Sequence, residues 1–163
     1  MSEQAGVPSR TRHRIGLLIA MAILLMSLSV ILSGEKETEH ILVTFPNGRQ
    51  LEGEVANTPE KLLFGLAFRE SLPAGSALLM IFDESGPHRV WTKQYRMPVD
   101  MIWVDESKHI VDVMEGLSPC EADSCPRYGS PSTAARYILQ TRAGFVKDAS
   151  VALGMELKFT LVM

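Results

Sequence analysis

The stretch DMIWVDESKHIVDVM, residues 100–114, decides the fold class because two apolar runs flank a polar turn. Residues 100–104 and 109–114 are rich in the β-branched and aromatic side chains that pleated strands favour. The intervening residues 105–108, with the sequence DESK, are typical of a turn. The stretch therefore predicts a β-hairpin, and its composition favours a mainly-β fold.

Similar apolar runs continue through residues 41–163, with turn signals between them. Near the end, Met155, Leu157, Phe159 and Leu161 alternate with polar residues, which predicts a closing strand. We expect about eight short strands, at residues 41–45, 50–56, 77–82, 88–93, 100–104, 109–114, 136–141 and 155–162. This succession favours a single-domain sandwich or squat barrel.

One or two small helices should accompany the strands. Thr58 and Pro59 provide a helix cap and a first helical residue, and the predicted helix ends near Arg69. Residues 143–153 are expected to supply a further helical turn or two. Residues 115–133 contain both cysteines and three prolines, and they predict a long irregular loop.

The N-terminus has the pattern of a membrane segment. Three arginines precede an uncharged run, residues 15–33, which as a helix would span roughly 28 Å. Basic residues before the run and acidic ones after it predict that the C-terminal part is exported. The expected organisation is a cytoplasmic basic segment, a transmembrane segment, a polar stalk and an exported β domain, at residues 1–14, 15–33, 34–40 and 41–163.

The sequence leaves open whether residues 15–33 are retained as a signal-anchor or removed as a signal peptide. If they are retained, the chain contacts the inner or cytoplasmic membrane, with its C-terminal domain on the periplasmic or extracellular face. If they are removed, the domain is secreted. A buried core helix is the alternative, but no polar face interrupts the run.

The charge of the chain disfavours nucleic acid as a partner. The formal net charge is −3, from 16 Lys+Arg and 19 Asp+Glu. Residues 1–33 hold three arginines and Glu3, so the exported part keeps 13 basic and 18 acidic residues, a charge of −5. A phosphate-backbone binder normally needs a clustered basic face, so we expect no nucleic-acid partner.

Cys120 and Cys125 lie in a loop that the predicted topology places outside the cytoplasm. In an oxidising compartment a disulfide is the default expectation for such a pair. Redox-active thiols or a metal site are the alternatives. The spacing differs from the C-x-x-C of thioredoxin-type sites, and a metal would need His88 or His109 at unconvincing distances.

A series of short motifs resembles the family called domain of unknown function 192. The motifs occur in a specific order across residues 41–163: EVANTPE at 54–60, GLAFR at 65–69, LP at 72–73, WTK at 91–93, PVDMI at 98–102, PC at 119–120, CPRY at 125–128, RYIL at 136–139, AG at 143–144 and Gly154. The resemblance implies a mainly-β sandwich or barrel and no established activity. The chain departs from the usual family pattern at Ala67, Thr92, Gln94 and Tyr95.

Trp91 and Lys93 are the first candidate ligand-binding residues. If residues 91–95 are extended, Trp91, Lys93 and Tyr95 share one face, and the lysine could make cation–π contacts. The same surface could stack on a sugar ring or planar ligand, with Lys93 facing an anionic group. Alternatively, Trp91 belongs to the core and the lysine extends past it to solvent.

Arg69 and Asp100 are the other two candidates, because each charge is embedded in an apolar run. Burying either charge alone would be costly, so one expectation is a mutual ion pair. Alternatively, Arg69 binds a ligand carboxylate and Asp100 acts as a base. The sequence does not show whether the two residues meet.

No motif of an assembled active site is present: the chain lacks G-x-S-x-G, H-E-x-x-H, a P-loop and a dinucleotide fingerprint. We therefore expect no catalytic residues, cofactor or metal ion. The favoured hypothesis is a cell-envelope module that binds a small polar ligand, a saccharide or an envelope protein. The alternatives are a small envelope hydrolase that uses Asp100 and a non-catalytic interaction subunit of an envelope complex.

Overall fold

The computed structural model describes residues 9–32, 40–129 and 132–162. The chain divides into two compact units, Met1–Glu37 and Thr38–Met163. In the first unit, the described residues form one helix, α1 (Ser9–Leu32). All strands and the remaining helices belong to the second unit.

Helix α1 coincides with most of the predicted transmembrane segment at residues 15–33. Among the described residues, however, no helix meets the length and apolarity needed to cross a membrane, so the structure does not support that segment. Residues 1–8, residue 33 and residues 34–39 of the predicted stalk lie outside the described residues.

The second unit is mainly β, as predicted. Its elements in chain order are β1 (His40–Thr44), β2 (Gln50–Ala56), α2 (Pro59–Phe64), β3 (Ser76–Gly86), β4 (Val99–Val104), β5 (Ile110–Leu117), β6 (Ala135–Arg142), α3 (Phe145–Asp148) and β7 (Lys158–Val162). The hairpin predicted from residues 100–114 is present, because β4 pairs with β5 in antiparallel register.

The strands form one seven-stranded sheet in the order β5-β4-β6-β3-β2-β1-β7. The pairing of β2 with β3 is parallel, and the other strand pairs are antiparallel. The two outermost strands meet at one end of the sheet: the Ile110 amide donates to the Met155 carbonyl, and the Leu157 amide donates to the Lys108 carbonyl, both at 2.9 Å. A short backbone bridge therefore joins the start of β5 to the residues that precede β7.

The prediction of a strand at residues 88–93 is wrong. The backbone of this segment has partners in the cysteine loop, through isolated bridges between Val90 and Tyr128 and between Lys93 and Cys120. It therefore adds no eighth strand to the described part of the sheet.

The helix predicted to reach Arg69 ends earlier, at Phe64. The next residue is Gly65, whose positive φ of 53° leaves the helical region.

A hydrophobic core lies against each face of the sheet. All six residues of β4 are buried, and they alternate between the two cores. Ile102 packs in one core with α3, whereas Met101 and Trp103 pack in the other. The second core also contains Leu66 and Tyr95, from the segments that follow α2 and precede β4. These irregular segments cover one sheet face, and the candidate site lies among them.

Candidate functional site

Trp91 is at the centre of the candidate site. Its half-buried side chain lines two neighbouring cavities, and its Nε1 donates a long hydrogen bond of 3.4 Å to the Leu63 carbonyl. Two cations lie against the ring. The Arg127 Cζ is 4.8 Å and the Lys93 Nζ is 5.9 Å from its centroid. The predicted cation–π contact of Lys93 with Trp91 is present, and Arg127 approaches the ring more closely.

The first cavity has a volume of about 110 Å³ and lies between α2, β3, β6 and the segment around Trp91. Its described lining is mostly apolar, with two arginines and two neutral polar side chains: Leu62, Leu63, Met80, Phe82, Arg89, Val90, Trp91, Tyr95, Arg127 and Gln140. A small pocket of this composition fits an apolar ligand body with a few oriented polar groups.

Two buried polar residues contribute neutral groups to this cavity. The Tyr95 hydroxyl donates to Gln140 Oε1 at 2.7 Å, and Gln140 Nε2 donates to Met80 Sδ at 3.1 Å. Burial raises the pKa of Tyr95 above the ordinary value of 10.0, because desolvation disfavours the phenolate. The pair therefore remains uncharged at physiological pH and presents hydrogen-bonding groups without charge.

Gly65 makes room for the Tyr95 hydroxyl. A Cβ at this position would lie 2.4 Å from the hydroxyl oxygen, and the backbone φ of 53° already disfavours a side chain. The glycine thus ends α2 and allows Tyr95 to approach the backbone at the same point.

The cysteine loop forms one side of the site. Cys120 and Cys125 form a disulfide, which confirms the prediction. The Cys120 amide donates to the Thr92 carbonyl at 3.0 Å, and its carbonyl accepts from the Gln94 amide at 3.1 Å. Further along the loop, Val90 and Tyr128 exchange two backbone hydrogen bonds. The loop is therefore bonded to the Trp91 segment on both sides of the tryptophan, and it carries Arg127.

Two exposed arginines, Arg89 and Arg127, line the first cavity. Arg89 donates from Nη2 to the backbone carbonyl of Arg127 at 2.8 Å. Among the described residues that line the cavity, none is acidic. An anion in this cavity would therefore be near two arginines, and guanidinium groups can bind carboxylates or phosphates in bidentate geometry.

The second cavity, of about 270 Å³, shares Trp91 and Leu63 with the first. Its described lining is largely apolar, with one lysine at its edge: Leu63, Phe64, Ala67, Phe68, Trp91, Lys93 and Gln94. Leu63 and Phe68 are each 55% exposed. The site thus combines a small cationic pocket with an adjoining apolar surface.

Arg69 and Asp100 do not form the expected ion pair. Arg69 Nη2 lies 2.7 Å from Glu54 Oε2, a partner on β2. Asp100 is completely buried, and its two carboxylate oxygens accept from the Gly116 and Val146 amides at 2.8 and 2.9 Å. Backbone amides therefore satisfy the aspartate without an arginine. Neither residue lines the cavities beside Trp91.

Of the four candidates taken from the sequence, the structure brings only Trp91 and Lys93 together. Sequence reasoning missed Arg89, Arg127 and Gln140, because residues distant along the chain converge only after folding. Arg127 stands in the CPRY motif beside a cysteine, and that motif was the available signal. In the described part of the chain, no cluster of three or more His, Cys, Asp or Glu residues could hold a metal ion.

Comparisons with known proteins address the fold and the family. A solved structure from Sinorhizobium meliloti 1021, described as a candidate transcription regulator, is 25% identical over 77% of this chain and 98% of its own, with a TM-score of 0.66. A protein of unknown function from Novosphingobium aromaticivorans DSM 12444 is 17% identical over 73% of this chain and 83% of its own, with a TM-score of 0.63. The second similarity shows the fold alone.

No curated protein matches the chain. Residues 42–159 match the family model DUF192, domain of unknown function 192, which is described as Uncharacterized ACR. The match covers most of the chain and nearly all of the β unit, as the order of the sequence motifs predicted. The chain belongs to the domain of unknown function 192 family.

Proposed function

We propose that this protein is a small-ligand-binding module whose cavity beside Trp91 takes the anionic group of an organic ligand. One observation carries the proposal. Arg89 and Arg127 both line a mostly apolar cavity that also presents the neutral Tyr95–Gln140 pair. The arginines would attract the anion, and the neutral pair would orient the ligand through hydrogen bonds.

The contacts of Trp91 favour an organic acid over a neutral saccharide. Arg127 and Lys93 both lie within 6 Å of the ring centroid, so cations occupy positions that a stacking sugar would need. A sugar acid or another carboxylate could instead place its charge at Arg127 while its body contacts the tryptophan edge. Neutral sugars are therefore a separate arm of the test.

The proposed location is a compartment outside the cytoplasm, as part of the cell envelope or in secreted form. The Cys120–Cys125 disulfide supports an oxidising environment. The sequence expectation for residues 15–33 suggests a route of export, either with an anchor or by cleavage.

Two other functions receive less support. A hydrolase that uses Asp100 would need a free carboxylate in a cavity, whereas backbone amides occupy both oxygens of this buried residue. A role in transcription regulation, as in the description of the Sinorhizobium structure, would need a clustered basic face if it involved direct binding of nucleic acid. The chain has a net charge of −3, and two arginines at one small cavity do not make such a face.

A thermal-shift screen of the full chain tests the proposal. It compares small carboxylates and sugar acids with their neutral amides and with neutral sugars. A ligand at about 100 times its Kd adds roughly 2.7 kcal/mol, which is several degrees of Tm for a domain of this size. We expect shifts with the acids and none with the amides.

The Arg127→Gln variant should abolish the shift, whereas Arg49→Gln should retain it. Arg49 is a matched control because it is also an exposed arginine and it does not line the cavity. A flat screen with the acids would contradict the proposal. A shift that persisted in Arg127→Gln would contradict it as well.

A further inference from the structure

We infer that the ligand is an alkyl carboxylate, with its carboxylate at Arg89 and Arg127 and its hydrocarbon chain on the apolar surface formed by Leu63, Phe64, Ala67 and Phe68. This surface is called the Phe64–Phe68 surface below. The inference rests on the proposed function and specifies its ligand class. The hydrocarbon chain would lie in the second cavity, which is not part of the proposed anion site.

The two cavities adjoin each other. Leu63 and Trp91 line both of them, and the hydrogen bond from Trp91 Nε1 to the Leu63 carbonyl joins the two residues. The inferred alkyl chain would run from the arginines, over these two side chains, to the Phe64–Phe68 surface. A linear ligand with one charged end fits this arrangement.

The Phe64–Phe68 surface is unusually apolar for an exposed position. Leu63, Phe64 and Phe68 are 55%, 46% and 55% exposed, and none of the residues of α2 is buried. The rings of Phe64 and Phe68 lie 6.2 Å apart at a tilt of 49°. Clustered apolar exposure of this kind marks interaction sites more often than single exposed residues do.

The backbone holds Phe68 in its outward position. Phe68 has a positive φ of 65°, a conformation that is rare for a bulky aromatic residue. Its amide donates to the Gln94 carbonyl at 2.8 Å, and Gln94 also has a positive φ, of 60°. Backbone strain persists where surrounding structure enforces it, and it clusters at functional sites. Here it fixes an aromatic ring beside the second cavity.

The distribution of charge selects a carboxylate at one end of the chain. Arg89 and Arg127 lie at the first cavity, whereas the described lining of the second cavity has one cation, Lys93, and no acidic residue. An alkyl ammonium would place its charge beside the arginines and should bind poorly. An apolar chain without a carboxylate would make no ionic contact with the arginines.

The test measures the Kd of butanoate, octanoate and dodecanoate for the full chain, at concentrations below micelle formation. Burial of a methylene group raises affinity by up to about fourfold, so affinity should increase steeply along the series. Dodecyltrimethylammonium, with the same chain and the opposite charge, should show no saturable binding.

Phe68→Asn removes the apolar ring and keeps a residue type that tolerates positive φ, so the variant should fold. It should flatten the dependence of the Kd on chain length. Leu153→Asn is the matched control, because Leu153 is 66% exposed and does not line either cavity. Arg127→Gln should weaken all three carboxylates by a similar factor.

The outcomes separate this inference from the proposed function. Equal affinities along the series would contradict the binding of an alkyl chain to the Phe64–Phe68 surface. A length dependence that persists in Phe68→Asn would contradict it as well. Neither result would contradict the anion site. Equal binding of dodecyltrimethylammonium would overturn the carboxylate assignment. If none of the three alkyl carboxylates binds while a sugar acid shifts the Tm in the screen, the inference is wrong and the proposed function stands. If no acid binds in either experiment, both are wrong.

Discussion

The guanidinium carbon of Arg127 lies 4.8 Å from the centroid of the Trp91 ring, so the cysteine loop brings a cation onto the aromatic residue at the centre of the site. The loop is fixed by the Cys120–Cys125 disulfide and by backbone hydrogen bonds to Thr92 and Gln94. The position of the cation therefore depends on an intact loop.

Removal of the disulfide should weaken both the fold and the site. The Cys120→Ser/Cys125→Ser variant should lose roughly 2 kcal/mol of unfolding free energy, because the small closed ring no longer restricts the unfolded chain. Urea unfolding with and without reductant measures this change. Ligand affinity should fall at the same time, since Arg127 loses its support.

Reductant provides the control for that prediction. It should lower the stability of the wild-type chain to the level of the double variant and leave the variant itself unchanged. A wild-type chain with the same unfolding midpoint in both conditions would contradict the stabilising role of the disulfide.

Gly65→Ala should destabilise the protein by at least about 2 kcal/mol, because a positive φ alone disfavours alanine by about 1–2 kcal/mol. The new Cβ would also lie 2.4 Å from the Tyr95 hydroxyl. Gly75→Ala is the matched control, since Gly75 has a φ of 86° with nothing within 4 Å.

A double variant isolates the steric part of the Gly65 effect. Tyr95→Phe removes the hydroxyl that the new Cβ would contact, so Gly65→Ala should cost less in that background than in the wild type. Thermal unfolding of the four chains gives the coupling free energy. A zero coupling would show that the Tyr95 hydroxyl does not restrict position 65.

The strand pattern of the β unit was largely predictable from local sequence, whereas the candidate site was not. Alternating apolar residues identify strands such as residues 50–56, because one face of a strand contacts the core. The segment at residues 88–93 has a similar composition, but its backbone partners belong to the cysteine loop. That choice depends on tertiary contacts, which no local pattern encodes.

The same limit explains the errors about charged residues. Sequence reasoning paired Arg69 with Asp100 because both lie in apolar runs, but amides of Gly116 and Val146 satisfy the aspartate. Backbone donors have no signature in the sequence. Arg89 and Arg127 likewise meet only through the path of the cysteine loop.

Tyr95→Phe should show a stability difference that depends on pH. Near neutral pH the variant should be less stable by about 1–2 kcal/mol, because Gln140 Oε1 loses its buried donor. The raised pKa of Tyr95 means that the unfolded residue ionises near pH 10 while the folded one stays neutral. The contribution of neutral Tyr95 to the stability of the wild-type chain is therefore fully present below about pH 10 and decreases as the pH rises from there.

The phenylalanine variant lacks this ionisation, so the difference in stability should narrow above pH 10. Thermal unfolding of both chains across the alkaline range measures it, and the other tyrosines contribute equally to both. A constant difference at all pH values would contradict the burial of a neutral Tyr95.

Asp100→Asn should destabilise the fold by about 2 kcal/mol. An asparagine has one acceptor oxygen, so one of the two amides, from Gly116 or Val146, would lose its bond in the interior. Urea unfolding measures the loss. If stability were unchanged while a hydrolytic activity disappeared, Asp100 would act as a catalytic base and its structural role would be wrong.

Intrinsic fluorescence can detect an organic anion that binds beside Trp91 and contacts Arg127. The chain has two tryptophans, and the second, Trp103, is buried in the core. Titration of the full chain with octanoate should give a saturable change in emission that disappears in Trp91→Phe and shifts to much higher concentration in Arg127→Gln. A saturable change of the same size and midpoint in all three chains would place the ligand elsewhere and contradict the account.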